Sequence, residues 1–148
     1  MKISDFIIKE AIEVDFKAAG KGSAIKRMCK NLALSTKVTD IKTLTKDILS
    51  REEIESTGIG DGIALPHART KGVSEPIISI AISKKGIDFD SLDSRPVNIL
   101  FFIAVPENQS KQLLKFLAKI TQLLKRPEVR SNLLSVKNSD QIIDILKD

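Results

Sequence analysis

The feature that most constrains the fold is the apolar run VNILFFIAVP at residues Val97–Pro106. It is too short to cross a bilayer as a helix, which takes about 20 apolar residues, but it has the length of a buried strand. Because its apolar residues do not alternate with polar ones, both faces of this strand must be covered, as in the centre of a sheet between two layers. The run PIISIAIS, at residues 76–83, predicts a second long strand.

Helical patterns lie before and after these strands. The predicted helices share apolar residues at a spacing of three and four, and they cover about residues 23–34 with Ser23 as the cap, 40–55, and 109–125, with shorter ones beginning at Pro127 and at Ser139 or Asp140. Short extended segments are predicted at residues 11–16 and 62–66. Helices on either side of a strand block predict an α/β domain in which helices cover both faces of a sheet.

The composition fits one globular domain over residues 1–148, with 42% hydrophobic and 29% charged residues. The N-terminus has acidic residues among its apolar ones, unlike a signal peptide, and no run is long enough to insert into a membrane. Cys29 is the only cysteine, which excludes an intramolecular disulfide and makes the cytoplasm the default compartment.

The net charge of +5 raises nucleic acid as a partner. Basic residues are nevertheless interleaved with acidic ones, and no Trp or Tyr is present to stack on bases, so we expect no specific nucleic-acid binding. A basic binding module remains an alternative. In that case Lys111, Lys115 and Lys119, spaced along one helix face, would dock an acidic partner, and the only histidine would be structural.

Several familiar sites are excluded by the residues available. A zinc site needs three or four clustered ligands, which Cys29 and His67 cannot supply. The glycines of GIGDG lack the spacing of the dinucleotide-binding fingerprint, and there is no phosphate loop or G-x-S-x-G elbow. The sequence therefore predicts neither a metal nor an organic cofactor. A serine–histidine–acid triad with Ser56 and Asp61 stays open.

The only histidine, His67, directly follows a proline in TGIGDGIALPHART. The glycines allow the backbone to take positive φ or to pack closely behind the ring, while Pro66 holds Leu65 extended and so aims the next side chain. A neutral imidazole with one nitrogen held by a hydrogen bond presents the other as a nucleophile. This arrangement suits covalent catalysis or phosphoryl acceptance. The alternative is a histidine that only packs at a strand end.

Residues 52–68 resemble the phosphorylation-site signature of the phosphotransferase-system enzyme IIA family of fructose, mannitol and nitrogen-regulatory type. They match it in order: acidic Glu52, six intervening residues, IG, two residues, then IALPHA. IDFDSLDSRPVNILFFIAVP and LLKFLAKITQLL also occur in family order, so the similarity covers nearly the whole chain. It implies a mannitol-type IIA fold, a mixed β-sheet flanked by helices on both faces in three layers.

The resemblance also implies that His67 takes a phosphoryl group on Nε2 from a histidine-containing phosphocarrier protein and passes it on. It places Arg51 beside that histidine, where a guanidinium can bind two phosphoryl oxygens. Without the resemblance, Arg51 would be interpreted as a solvated helix-end residue paired with Glu55. Arg69 would assist at the site or simply face solvent.

One position departs from the family pattern, since Leu113 stands where many members carry a second histidine. This departure implies either slower phosphoryl transfer or a backbone or amide partner, such as Gln112, for the His67 ring. A degenerate, purely regulatory family member is the other alternative, but the presence of both His67 and Arg51 argues against it. The chain length and the run STGIG favour the nitrogen-regulatory branch, which binds target proteins. The alternative is a sugar-specific IIA that feeds the IIB component of a permease.

Overall fold

The computed structural model describes residues 2–147. The α-helices are α1 (Lys21–Leu32), α2 (Ile41–Ile54), α3 (Ser110–Leu124), α4 (Pro127–Leu134) and α5 (Ser139–Ile145), and short 3-10 helices cover Ile3–Phe6 and Lys9–Ala11. The strands are β1 (Gly58–Gly60), β2 (Ile63–Ala64), β3 (His67–Thr70), β4 (Ile77–Ile87) and β5 (Val97–Pro106). Among residues 2–147, no helix is both long enough and apolar enough to cross a membrane.

The sheet is built around β5, as the apolar run predicted. On one edge β5 pairs with antiparallel β4. On the other edge it pairs in parallel with both β2 and β3, and the register is the same in each, because Ile63 lies opposite Ile99 and His67 opposite Ile103. β2 and β3 are therefore one line of strand, interrupted only at residues 65–66. β1 folds back antiparallel to β2 and extends the sheet further.

Alternation along β5 divides the core into two layers. Leu100, Phe102 and Ala104 pack with α1 and α2, while Phe101 and Ile103 pack with α3, α4 and α5. All of these side chains are fully buried. The prediction of an α/β fold, with a mixed sheet flanked by helices on both faces, is confirmed.

Two predictions before β4 were wrong. Residues 11–16 do not form a strand; Lys9–Ala11 is a 3-10 helix, and the segment after it touches β4 through isolated bonds such as the Phe16 N–H to the Ile82 carbonyl. Ser23 is not the cap of α1, which begins at Lys21 after Gly20. The Ser23 hydroxyl instead donates to the Gly20 carbonyl and accepts from its N–H, an exchange that Ser23 makes from inside the first turn.

The helix and strand boundaries after β3 differ in smaller ways. The last helix is capped by Asn138, whose side chain accepts the Gln141 N–H at 3.0 Å, and not by Ser139 or Asp140. β4 continues past residue 83 to Ile87, and its pairing with β5 shifts register between Ile82 and Ile87, a stretch in which Gly86 takes a φ of +84°. α3 agrees closely with its prediction, and Pro127 occupies the first turn of α4 as expected.

Candidate active site

The β1–β2 hairpin supports the residues that lead to the histidine. Its two-residue turn places Asp61 at φ 56° and Gly62 at φ 75°, the left-handed pair that matches the twist of a tight hairpin. Gly58 serves a different purpose: a Cβ there would lie 3.0 Å from the Ser91 Cα, so only glycine fits this close approach. The sequence predicted positive φ among these glycines; it predicted close packing behind the imidazole ring, but Gly58 packs against Ser91.

The interruption at residues 65–66 provides the first partner of His67. The Leu65 N–H is bound by the Thr57 carbonyl at 3.1 Å, and the Pro66 carbonyl accepts the Ile103 N–H at 3.0 Å. The Leu65 carbonyl lies 2.6 Å from His67 Nδ1. A carbonyl can only accept, so Nδ1 carries the proton and Nε2 carries the lone pair. Nε2 has no hydrogen-bond partner among residues 2–147.

The surroundings of the ring favour its neutral form. Burial lowers the pKa of His67 below its usual value of 6.5, and the nearby positive charge of Arg51 lowers it further. The Leu65 carbonyl and the negative charge of Glu52 act in the opposite direction, but they are the weaker influence in sum. At neutral pH the imidazole is therefore an uncharged nucleophile with a single free nitrogen.

His67 opens into a cavity of about 350 Å³ between α2, β3 and the start of α3. The cavity is lined by Asp47, Ser50, Arg51, Ile54, His67, Ala68, Arg69 and Leu113. The structure thus brings together the two site residues predicted from the sequence. Arg51 is indeed tied to the end of its helix, but its Nη1 donates to the Glu55 backbone carbonyl at 2.8 Å, and no ion pair with the Glu55 carboxylate forms.

The rest of the cavity wall clarifies what the sequence left open. Arg69 does not simply face solvent, because its Nη1 donates to the Ser110 hydroxyl at 2.9 Å and the side chain is thereby held beside the cavity. Leu113 is buried and contributes an apolar side chain to the cavity wall. The partner of the ring is a backbone carbonyl, that of Leu65, rather than the amide of Gln112.

The alternative triad is not assembled. The Ser56 hydroxyl donates to the Phe89 carbonyl, and Asp61 lies at the tip of the hairpin, so neither lines the cavity of His67. Across residues 2–147 no three His, Cys, Asp or Glu side chains are grouped as metal ligands.

The sequence did not reveal the contacts behind the histidine. Glu52 is buried, and its two carboxylate oxygens accept the Thr57 N–H at 2.9 Å and the Thr57 hydroxyl at 2.6 Å. Lys21, on α1, lies 3.7 Å from the same carboxylate. The only sequence signal was an acidic residue at a fixed distance before the histidine, which does not show what that residue binds.

Comparison with known proteins supplies a family. Residues 5–148 match the family model described as "Phosphoenolpyruvate-dependent sugar phosphotransferase system, EIIA 2". Over 146 residues the chain is 38% identical to the PTS system fructose-specific EIIABC component of Bacillus subtilis, covering 99% of this chain and 23% of that protein. The chain thus spans about a quarter of that relative. The nitrogen regulatory protein of Pseudomonas aeruginosa is 32% identical over 135 residues, which cover 91% of this chain and 88% of that one.

Solved structures agree on the fold. The nitrogen regulatory protein IIA-Ntr of Neisseria meningitidis matches with a TM-score of 0.86 and 24% identity, covering 98% of this chain and 99% of that one. The enzyme IIA of the mannitol system of Escherichia coli, solved in complex with phosphorylated enzyme IIB, matches with a TM-score of 0.79 and 22% identity, over 93% of this chain and 94% of that one. At these identities the likeness concerns the fold.

Proposed function

The chain belongs to the EIIA 2 family of the phosphoenolpyruvate-dependent sugar phosphotransferase system, a phosphoryl-transfer component, and from this premise we propose that it carries the phosphoryl group on His67 Nε2. The donor is a histidine-containing phosphocarrier protein. The observation that carries the proposal is the 2.6 Å bond between Nδ1 and the Leu65 carbonyl, which leaves Nε2 as the free lone pair beside a cavity lined by two arginines.

The transfer needs no proton to leave Nε2. The Nε2 lone pair forms a bond to phosphorus while the phosphorus–nitrogen bond of the donor breaks, and that bonding pair stays on the donor imidazole. The product ring keeps its Nδ1 proton and gains positive charge, which the Leu65 carbonyl dipole and the buried Glu52 carboxylate stabilise. The same charge weakens the new bond and prepares the phosphoryl group to be passed on.

The arginines have distinct roles in this proposal. Arg51 presents its guanidinium from the last turn of α2 and binds the equatorial oxygens, on which negative charge spreads during transfer. Its bond to the Glu55 carbonyl fixes the planar guanidinium, a fork of N–H donors, before the phosphoryl group arrives. Arg69, held by Ser110, adds a second positive charge at the cavity wall. Leu113 excludes water from one side of the site.

Two downstream roles follow from the two kinds of relative. Our first candidate is a regulatory, nitrogen-type IIA that binds target proteins according to its phosphorylation state, since the STGIG run is most like that branch. The second is a sugar-specific IIA that hands the group to a IIB component, which the 38% identity to a fructose-specific protein favours. In either case residues 1–148 act as one IIA domain, with the transfer taking place in the cytoplasm.

Phosphate incorporation tests the proposal. The protein is incubated with phosphoenolpyruvate, enzyme I and the phosphocarrier protein, and acid-labile label is mapped. We expect one label per chain on His67 and none in His67→Ala. Because the chain has no other histidine, label that persists in a folded His67→Ala protein contradicts the proposal. A second arm adds candidate IIB components: rapid loss of label to one of them identifies the sugar-specific role.

A further inference from the structure

A second concave surface, larger than the His67 cavity, lies between α1 and α2. We call it the α1–α2 groove, and its volume is about 620 Å³. Its rims carry Lys26 and Lys30 on α1 and Lys42 and Lys46 on α2, and its floor is mainly apolar, with Ile41 and Leu49. Ser50 lines both this groove and the His67 cavity, so the two surfaces adjoin on α2.

The charged residues that line the groove are mostly basic. On each rim the two lysines are four residues apart, which places them on one face of their helix, about 5–6 Å from each other at Cβ. Within residues 2–147 none of the four lies within ion-pair distance of a carboxylate. Glu53 is the one acidic residue among those that line the groove.

We propose that the α1–α2 groove docks an acidic amphipathic helix of a partner protein. The apolar face of such a helix would lie on Ile41 and Leu49, and carboxylates on its two flanks would meet the two lysine rows. A nucleic acid would gain nothing from an aliphatic floor without aromatic side chains. A membrane surface fits a protruding apolar face better than a recessed one. The proposal does not depend on phosphoryl transfer by His67.

A peptide-binding experiment tests this docking. The probe is a fluorescent 14-residue helical peptide with leucines on one face and glutamates on both flanks, and a peptide of the same composition without helical periodicity is the control. We expect saturable binding of the first peptide only. Lys26→Glu with Lys46→Glu should weaken it about tenfold or more, because two favourable pairs become repulsive.

The matched variant is Lys111→Glu with Lys115→Glu, which makes the same change of net charge on the exposed face of α3. It should bind the probe within about threefold of the wild type. Leu49→Ser, which keeps every charge, should also weaken binding. The proposal would be overturned if both double lysine variants lost the same peptide affinity, or if the two peptides bound equally well. It would also be overturned if single-stranded DNA or phosphatidylserine vesicles bound the groove more tightly than the helical peptide.

A separate set of hydrogen bonds links Glu52 to the ring of His67. The Glu52 carboxylate holds Thr57 by two bonds, the Thr57 carbonyl holds the Leu65 N–H, and the Leu65 carbonyl holds His67 Nδ1. The carboxylate is only 3% exposed, and Lys21 lies 3.7 Å from it while also pairing with Asp90 at 3.1 Å. Its bonds fix Thr57, and Thr57 fixes the carbonyl that selects the tautomer.

We infer that Glu52 is a positioning residue that keeps the Nδ1–H tautomer of His67 through Thr57 and Leu65. The consequence for transfer rests on the proposed function, but the tautomer does not. Glu52→Gln keeps the shape but removes the negative charge, and the bond to the Thr57 hydroxyl must reverse because an amide nitrogen donates where a carboxylate oxygen accepts; Thr57 is then held less tightly and the Leu65 carbonyl gains freedom. Glu53→Gln, at the exposed neighbouring position, is the matched control for charge.

Long-range ¹H–¹⁵N NMR of the unphosphorylated ring measures the tautomer directly. We expect a fall in the Nδ1–H population in Glu52→Gln, a smaller fall in Thr57→Val, and none in Glu53→Gln. Single-turnover phosphorylation should slow about tenfold in Glu52→Gln. An unchanged tautomer in folded Glu52→Gln and in Thr57→Val would overturn the inference, as would an equal change in Glu53→Gln. If the inference holds while His67 takes no label, only the proposed function fails.

Discussion

The two edges of β5 differ in a way that separates stability from chemistry. Along one edge, β4 pairs residue by residue from Ile77 opposite Ala104 to Ile82 opposite Ile99, and the paired side chains are buried. Along the other edge, the β2–β3 line breaks at residues 65–66. The break releases one backbone carbonyl from strand pairing, and that carbonyl binds the imidazole. One strand thus supports a regular edge that holds the fold and an interrupted edge that positions a nucleophile.

The largest effect should come from the regular edge. Ile80→Ala removes a fully buried side chain of β4 that packs in the same core layer as α3. Loss of its apolar contacts and the cavity left behind should lower the free energy of unfolding by about 2–5 kcal/mol. Urea denaturation measures this loss. The phosphorylation rate per folded molecule should stay near the wild-type value, and a rate loss that exceeds the unfolded fraction would show that the two edges are not separate.

The interrupted edge should show the opposite pattern in Arg51→Ala. Loss of the charge and the fork should slow single-turnover phosphorylation of His67 by about 10²–10³, while the fold survives. Arg51→Lys keeps the charge without the fork, so its rate should fall between the two. Circular dichroism checks folding, since Arg51→Ala also loses the bond to the Glu55 carbonyl. Wild-type rates in a folded Arg51→Ala protein would place the arginine outside the chemistry.

The close packing of the β1–β2 hairpin, which extends the interrupted edge, can be tested by replacing Gly58. Gly58→Ala forces a Cβ to within 3.0 Å of the Ser91 backbone, and this overpacking should cost about 1–3 kcal/mol of unfolding free energy. Gly22→Ala is the control, because no atom lies within 4 Å of its added Cβ and the residue is in α1. It should leave stability unchanged or raise it slightly. Equal losses in the two variants would contradict the close approach at Gly58.

The smallest effect should come from the pH dependence of stability. Because the folded-state pKa of His67 lies below 6.5, both states hold a neutral ring above that pH. As pH falls through 6.5 toward the folded pKa, the unfolded chain binds a proton that the folded chain does not, so stability falls. Denaturation between about pH 7 and pH 5 should show this decline in the wild type but not in His67→Gln. Parallel curves would mean that the imidazole is not held neutral.

The sequence predicted the regular part of the molecule better than the site. The β5 strand and α3 carry strong apolar patterns that burial alone dictates. β3 reads HART and was not predicted, because a short strand with two exposed or half-buried polar residues has no such pattern. The bond from Nδ1 to the Leu65 carbonyl depends on where the strand breaks, and the Ser110 contact of Arg69 on how two distant segments meet. Neither is encoded by local spacing.

The length of the break between β2 and β3 determines which face of the sheet His67 occupies. Side chains alternate between the two layers, so Ala64 and Ala68 enter the α1–α2 core while Ile63 and His67 belong to the opposite parity. A break of two residues preserves this parity. With one residue more or fewer between Ala64 and His67, the imidazole would point into the apolar core beneath α1 and α2. The methyl group of Ala68 would then point toward the cavity. Only the insertion or deletion of an even number of residues within IALPH would therefore keep the imidazole on the same face of the sheet.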